Sequence, residues 1–257
     1  MRTFAALLGI LAWPGQAEDF VDNIIFEPPA TESELARVGR EEVCRRETWL
    51  EAYRAIESRL GAMPRRMRLT VKFDWTGPEF AKAAAQNGQG WIRFNPARLE
   101  EHVRRMREIE AEKARVARSG GTLVFRVPPV RLDRVVWHEL THVFQSNYSA
   151  PEWFNEGMAQ WLSEDLNCLS AFVQSGRGVR AIERLGSDRV DLYARGHLFW
   201  SWLDSRNVLR LVAQSVVDRR PWRAALEDAT GLSWDSIVAT EREWSEQEVD
   251  RLRKIQK

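Results

Sequence analysis

His138-Glu139-Leu140-Thr141-His142 constrains this chain more than any other stretch, because it sets two of only four histidines four residues apart with a glutamate directly after the first. On a helix, residues four apart are separated by about 6 Å along the axis and about 40° around it, so both imidazoles can close on one ion. Glu139 points about 100° away from His138, which carries its carboxylate past the ion toward a bound water, where it can serve as a base. Val136, Leu140, Val143 and Phe144 form an apolar stripe opposite the ligands, and Asp133 is the expected N-cap. The stretch reads as a metal site on an amphipathic helix.

Two histidines leave a zinc shell incomplete. A metzincin would place glycine at 145 and histidine at 148, where this chain has Gln145 and Tyr148, so that class is excluded. The remaining route is a glutamate on a second helix, giving a shell of two histidines and one glutamate with an open fourth position for water. Ser149 and Glu152 have the spacing of a capping box for such a helix, and Glu156 lies one turn inside it. Gly157 and Ala159 keep its flank small enough for close approach.

The segment His138-Glu139-Leu140-Thr141-His142 followed by Pro151-Glu152-Trp153-Phe154-Asn155-Glu156-Gly157-Met158-Ala159 resembles the gluzincin metallopeptidases, and most of all the peptidase MA-like group with its P-x-W-x-x-E-G-x-A element. The likeness is specific over 135–165 and looser to about 245, where Tyr193-Ala194-Arg195-Gly196 and Thr230-Gly231-Leu232-Ser233 also resemble the group. It implies a zincin-like fold, His138, His142 and Glu156 as zinc ligands, and Glu139 as the catalytic base. One turn after the third ligand the group often has an acidic residue that supports a ligand, and here it is Gln160. A glutamine oxygen can still accept a histidine N–H, which implies an altered support and not a lost site.

Arg2, the apolar run from Phe4 to Trp13 and the small-residue end Gly15-Gln16-Ala17 have the pattern of a short secretory signal, too short to span a membrane. A secreted or periplasmic destination follows. The chain holds 38 basic and 37 acidic residues, and with only Arg2 charged in the signal the mature part balances at 37 and 37. No net field favours nucleic acid or an anionic membrane. Cys44 and Cys168 are the only cysteines, and an oxidising compartment would permit a disulfide between them. The twelve tryptophans are dispersed and are expected to pack helices.

Beyond the signal at 1–17, the chain is expected to form one α+β domain over 18–257. An N-terminal helical region (18–66) precedes a small mixed or antiparallel sheet (67–130), and a mostly helical half (131–257) carries the HExxH helix. Helical spacing marks 31–61, with Trp49, Tyr53, Ile56 and Leu60 on one side. Met67 to Phe73 alternates as a strand, and 90–95 and 122–127 are further strands. In gluzincins such a sheet offers an edge to which an extended substrate peptide adds, and Trp91 to Phe94 is the candidate edge. Glu100 to Arg118 is a charged, solvated helix with a surface His102. Arg189 to Asp204 is a helix that sets Tyr193 and His197 on one face, the first and second candidates for stabilising an oxyanion. Helices over 207–217, 221–229 and 234–253 complete the chain.

These residues point to a zinc metallopeptidase acting on a peptide or protein. A zinc hydrolase with another substrate would use the same ligands, and an inert binding or structural domain would keep the helix pair without the chemistry.

Overall fold

The computed structural model describes residues 15–61, 67–122, 129–145 and 149–255. Three short pieces open the chain: α1 (Gln16–Asp22), β1 (Ile25–Glu27) and α2 (Glu34–Val43), the last capped by the Ser33 hydroxyl accepting from the Ala36 amide. The long helix expected over 31–61 is in fact two, because the chain bends at Cys44 and Arg45 before α3 (Arg46–Arg59). Trp49, Tyr53 and Ile56 are buried along α3, as their spacing requires.

Next comes the sheet. Leu69 and Val71 are buried in β2 (Arg68–Lys72), while β3 (Ala81–Gln86) turns through Asn87 and Gly88 into β4 (Gln89–Phe94). Asn87 and Gly88 both have positive φ, 53° and 78°, which suits the tight two-residue turn of a twisted hairpin. Strand order is β1-β2-β4-β3, with β1 and β4 parallel to β2 and β3 antiparallel to β4. The expected edge, Trp91 to Phe94, is therefore interior: β4 has neighbours on both sides, and the outer strands among the described residues are β1 and, next to β4, β3. The strand expected over 122–127 lies outside the described residues from Leu123 onward, as does the apolar run of the expected signal.

The rest is helical. Asn95 caps α4 (Pro96–Arg118), whose exposed side carries i,i+3 and i,i+4 ion pairs such as Arg104–Glu100. His102 is not on the surface: it is 8% exposed and meets the Phe80 ring edge-on. There follow α5 (Leu132–Phe144), α6 (Glu152–Ser163), α7 (Asn167–Gln174), α8 (Arg189–Ser205), α9 (Leu209–Val217), α10 (Trp222–Thr230) and α11 (Trp234–Ile255). Gly231, at φ 70°, ends α10 in the left-handed conformation. The N-caps of α5 and α6 are Arg131 and Pro151, so Asp133 falls in the first turn of its helix, and no capping box forms at Ser149. Among the described residues no helix is long and apolar enough to cross a membrane.

Three contacts set the geometry of the helical half. Gly90 lets α5 lie on β4: a Cβ there would stand 3.1 Å from Val143. At the crossing of α6 and α8 the backbones touch, and a Cβ on Gly157 would fall 2.5 Å from the Cα of Gly196. Around that crossing Trp153, Phe154, Phe199, Trp200 and Trp222 gather into one aromatic cluster with ring centroids 4.8 to 6.2 Å apart. Behind α8, the fully buried guanidinium of Arg195 donates to both carboxylate oxygens of Glu241 on α11 at 2.9 and 2.7 Å, to the Ser245 hydroxyl and to the Arg180 carbonyl.

Cys44 and Cys168 are both free thiols, too far apart to bond, which corrects the expected disulfide. The physical reason is placement: Cys44 ends α2, which packs on α4 and α5, whereas Cys168 opens α7, which packs on α8. Burial pushes both thiols up to about 11.

Two substitutions test this packing. Gly196→Ala overfills the α6–α8 crossing and is expected to cost about 1–3 kcal/mol or more, since the neighbour is backbone that cannot swing aside. Glu241→Ala strands a buried cation and is expected to cost about 3–5 kcal/mol. Chemical denaturation measures both, and a loss below about 0.5 kcal/mol in either would contradict the packing described.

Candidate metal centre

Helix α5 forms because an apolar stripe seeks the core: Val136, Leu140, Val143 and Phe144 are all 0% exposed. That burial turns His138 and His142 the other way, into a cleft of about 1150 Å³. Helix α6 buries Trp153, Phe154, Met158 and Leu162, and thereby turns Glu156 into the same cleft.

The three side chains converge. The Nε2 atoms of His138 and His142 lie 3.1 Å apart, and Oε2 of Glu156 is 3.2 Å from the first and 3.5 Å from the second. This oxygen is buried, yet no hydrogen bond of good geometry reaches it. The two imidazole nitrogens stand at hydrogen-bond distance from each other, with donor and acceptor roles set by the tautomer, while the Glu156 oxygen faces both without a hydrogen bond of its own. An ion bound tetrahedrally at about 2.0–2.1 Å would separate its ligand atoms by about 3.3 Å, which is the size of this triangle. Among the described residues this is the one group of three histidine, cysteine or acidic side chains close enough to hold a metal.

The electrostatics are those of charges crowded out of water. Burial pushes the Glu156 carboxyl up, but the facing His138 and His142 rings outweigh it and hold it well below the usual carboxylate range. Burial alone would lower His142; the Glu156 carboxylate, and to a lesser degree Glu139, raise it to about 9. Glu139 lines the cleft and is 7% exposed. Burial raises its pKa against the opposing pull of His138 and His142.

The ligand triangle is braced by polar contacts that the spacing did not reveal. His142 Nδ1 lies 2.7 Å from Oε1 of Gln145, whose Nε2 donates to the Asn155 carbonyl at 2.7 Å. The supporting oxygen expected from Gln160 thus comes to His142 from Gln145. Glu164, in the left-handed conformation at φ 54°, accepts from Arg59 at 2.8 Å and pairs with Arg134 at 3.0 Å, tying the end of α6 to α3 and α5.

Of the two oxyanion candidates, only Tyr193 lines the cleft. Burial pushes its hydroxyl far up, so it stays protonated, and it lies close enough to Glu156 and Arg189 to be influenced by both. The Arg189 guanidinium sits 5.0 Å over the Tyr193 ring and 3.5 Å from Glu79 across the cleft. His197 corrects the expectation. Tyr193 stands near Glu156, while His197, one turn on, stands beside Gln160 and lines a separate hollow with Trp161 and Asp204. Burial pushes it down to about 4, and its Nδ1 has no partner. Arg189, Gln145 and Glu164 escaped the sequence reading; for Arg189 the signal was its place one turn before Tyr193.

The shifts fix a pH dependence for the chelated protein. His142 has a folded pKa raised above its ordinary 6.5, so its contribution to stability is complete below about 6.5 and is lost as pH rises through about 9. Glu139, a carboxyl raised by burial, acts in the same direction. Glu156, held low, contributes above its ordinary 4.5 and loses that only toward strong acid. The midpoint of thermal unfolding in excess chelator is expected to fall by about 3–6 °C between pH 6 and pH 9. A midpoint that is flat or rises over that range would contradict the assignment. In comparison with known proteins, the chain matches no family model, no curated protein and no solved structure.

Proposed function

We propose that this protein is a zinc-dependent metallopeptidase of the gluzincin type, secreted or periplasmic, with a zincin-like arrangement of sheet and helices. The observation that carries the reading is the triangle of His138 Nε2, His142 Nε2 and Glu156 Oε2, sized for a tetrahedral ion and opening onto a cleft that Glu139 also lines.

His138, His142 and Glu156 would hold the zinc, which when bound supplies a Lewis acid at an open position and lowers the pKa of water there. Glu139 follows His138 directly and faces the same space, so its carboxylate can take the proton of an attacking water. The same carboxyl, facing the cleft, can then hand that proton to the leaving amine. Tyr193 keeps its hydroxyl proton and can donate it as a hydrogen bond to the developing oxyanion, with Arg189 holding the ring from its other side.

Substrate placement follows from the sheet. Ala81, Lys82 and Ala83 of β3 line the cleft. A peptide in extended conformation can add to that strand by main-chain hydrogen bonds, which bind without demanding a particular side chain. The edge role expected of Trp91 to Phe94 passes to β3.

The test joins metal content to hydrolysis. Purified protein is expected to hold about one zinc per chain and to cleave members of a diverse peptide library. Glu139→Gln should keep the zinc and lose about 10²–10⁴-fold in kcat/KM. Full activity in that variant would sink the assignment. Zinc uptake with hydrolysis of esters but of no peptide would move the protein to another class of zinc hydrolase, and no zinc uptake would leave an inert domain.

A further inference from the structure

We infer that Gln145 is the positioning residue of the metal centre, fixing which nitrogen of His142 faces the ion and tying that ligand to the helix that bears Glu156. The inference rests on the metal reading above and adds to it a residue that contacts neither ion nor substrate.

The argument runs from the group that has no choice. The Asn155 main-chain carbonyl is an acceptor only, so the Gln145 atom 2.7 Å from it must be the amide nitrogen. That orientation leaves the amide oxygen facing His142 Nδ1 at 2.7 Å. An oxygen accepts and does not donate, so Nδ1 must carry a hydrogen. With the proton of the neutral ring fixed there, the lone pair is on Nε2, the atom that points at His138 and Glu156.

Gln145 is 6% exposed, so water has little access to replace either bond. It caps the C-terminal end of α5, three residues after His142, and the carbonyl it grips belongs to the residue directly before Glu156. One amide therefore spans the two ligand-bearing helices. Without it the imidazole could rotate or place its proton on the coordinating nitrogen, and α6 would lose a tie at the turn that carries the third ligand.

The test compares zinc dissociation constants, measured by competition with a chromophoric chelator, for the wild type, Gln145→Leu and Gln145→Glu. Leucine fills a similar volume and removes both bonds, and is expected to weaken zinc binding about 10–100-fold. Glutamate keeps the acceptor for His142 and loses the donor to Asn155, and is expected to recover most of the affinity. A merely space-filling role would not separate the two. Nitrogen-15 labelling of the four histidines reads the ring directly: in the zinc-loaded wild type, His142 should show its proton on Nδ1. Wild-type zinc binding with unchanged affinity in Gln145→Leu, or a His142 proton on Nε2, overturns this inference alone. No zinc binding by the wild type overturns it together with the metal reading. Should Gln145→Leu not fold, as judged by circular dichroism, the Gln145→Glu affinity and the His142 tautomer decide: a Gln145→Glu loss as large as 100-fold would also overturn it.

Discussion

The helical half depends on two backbones meeting without side chains between them. Where Gly157 faces Gly196, α6 and α8 come into backbone contact, and the side-chain placements on α8 follow from that crossing. Tyr193 arrives near Glu156, and His197 beside Gln160. The aromatic rings around the crossing fill what the absent side chains leave and remove large apolar surfaces from water, so the contact is close and also expensive to open.

Inside this frame the electrostatics oppose the packing. Burying two imidazoles and two glutamates within a few ångströms is unfavourable unless each finds an opposite charge, and the shifts at His142, Glu139 and Glu156 are the measure of that tension. The surroundings supply rigidity and one electrostatic attraction to Glu156 from Arg189: Gln145 fixes a ring, and Glu164 with Arg59 and Arg134 fixes the far end of α6. A divalent ion at the proposed site would relieve the tension at the centre while leaving those braces in place.

What the sequence disclosed was what local periodicity can encode. The four-residue step from His138 to His142 and the run from Pro151 to Gly157 each lie within one helix or its lead-in, so the convergence of His138, His142 and Glu156 could be anticipated from spacing. The strand at Ala81–Gln86 was missed because its alanines, lysine and glutamine have little strand preference, although Asn87-Gly88 after it is a strong hairpin signal. Without β3 in view, β4 looked like an edge. Gln145 was legible only as a residue that is not glycine, since its main partner is a backbone carbonyl, which has no letter in the sequence. The sides of α8 and the separation of Cys44 from Cys168 are tertiary facts, fixed by which helix each turn meets.

The bond between Arg195 and Glu241 links residues 46 positions apart. Arg195 lies two residues beyond Tyr193, so the counter-charge that lets this turn of α8 be buried at all is provided by α11. A nascent polypeptide released short of α11 would have to leave a guanidinium wet at the rear of the cleft wall. Helix α11 is thus a structural keystone for a cleft that its own residues do not line, and the cleft's shape is complete only once α11 has docked.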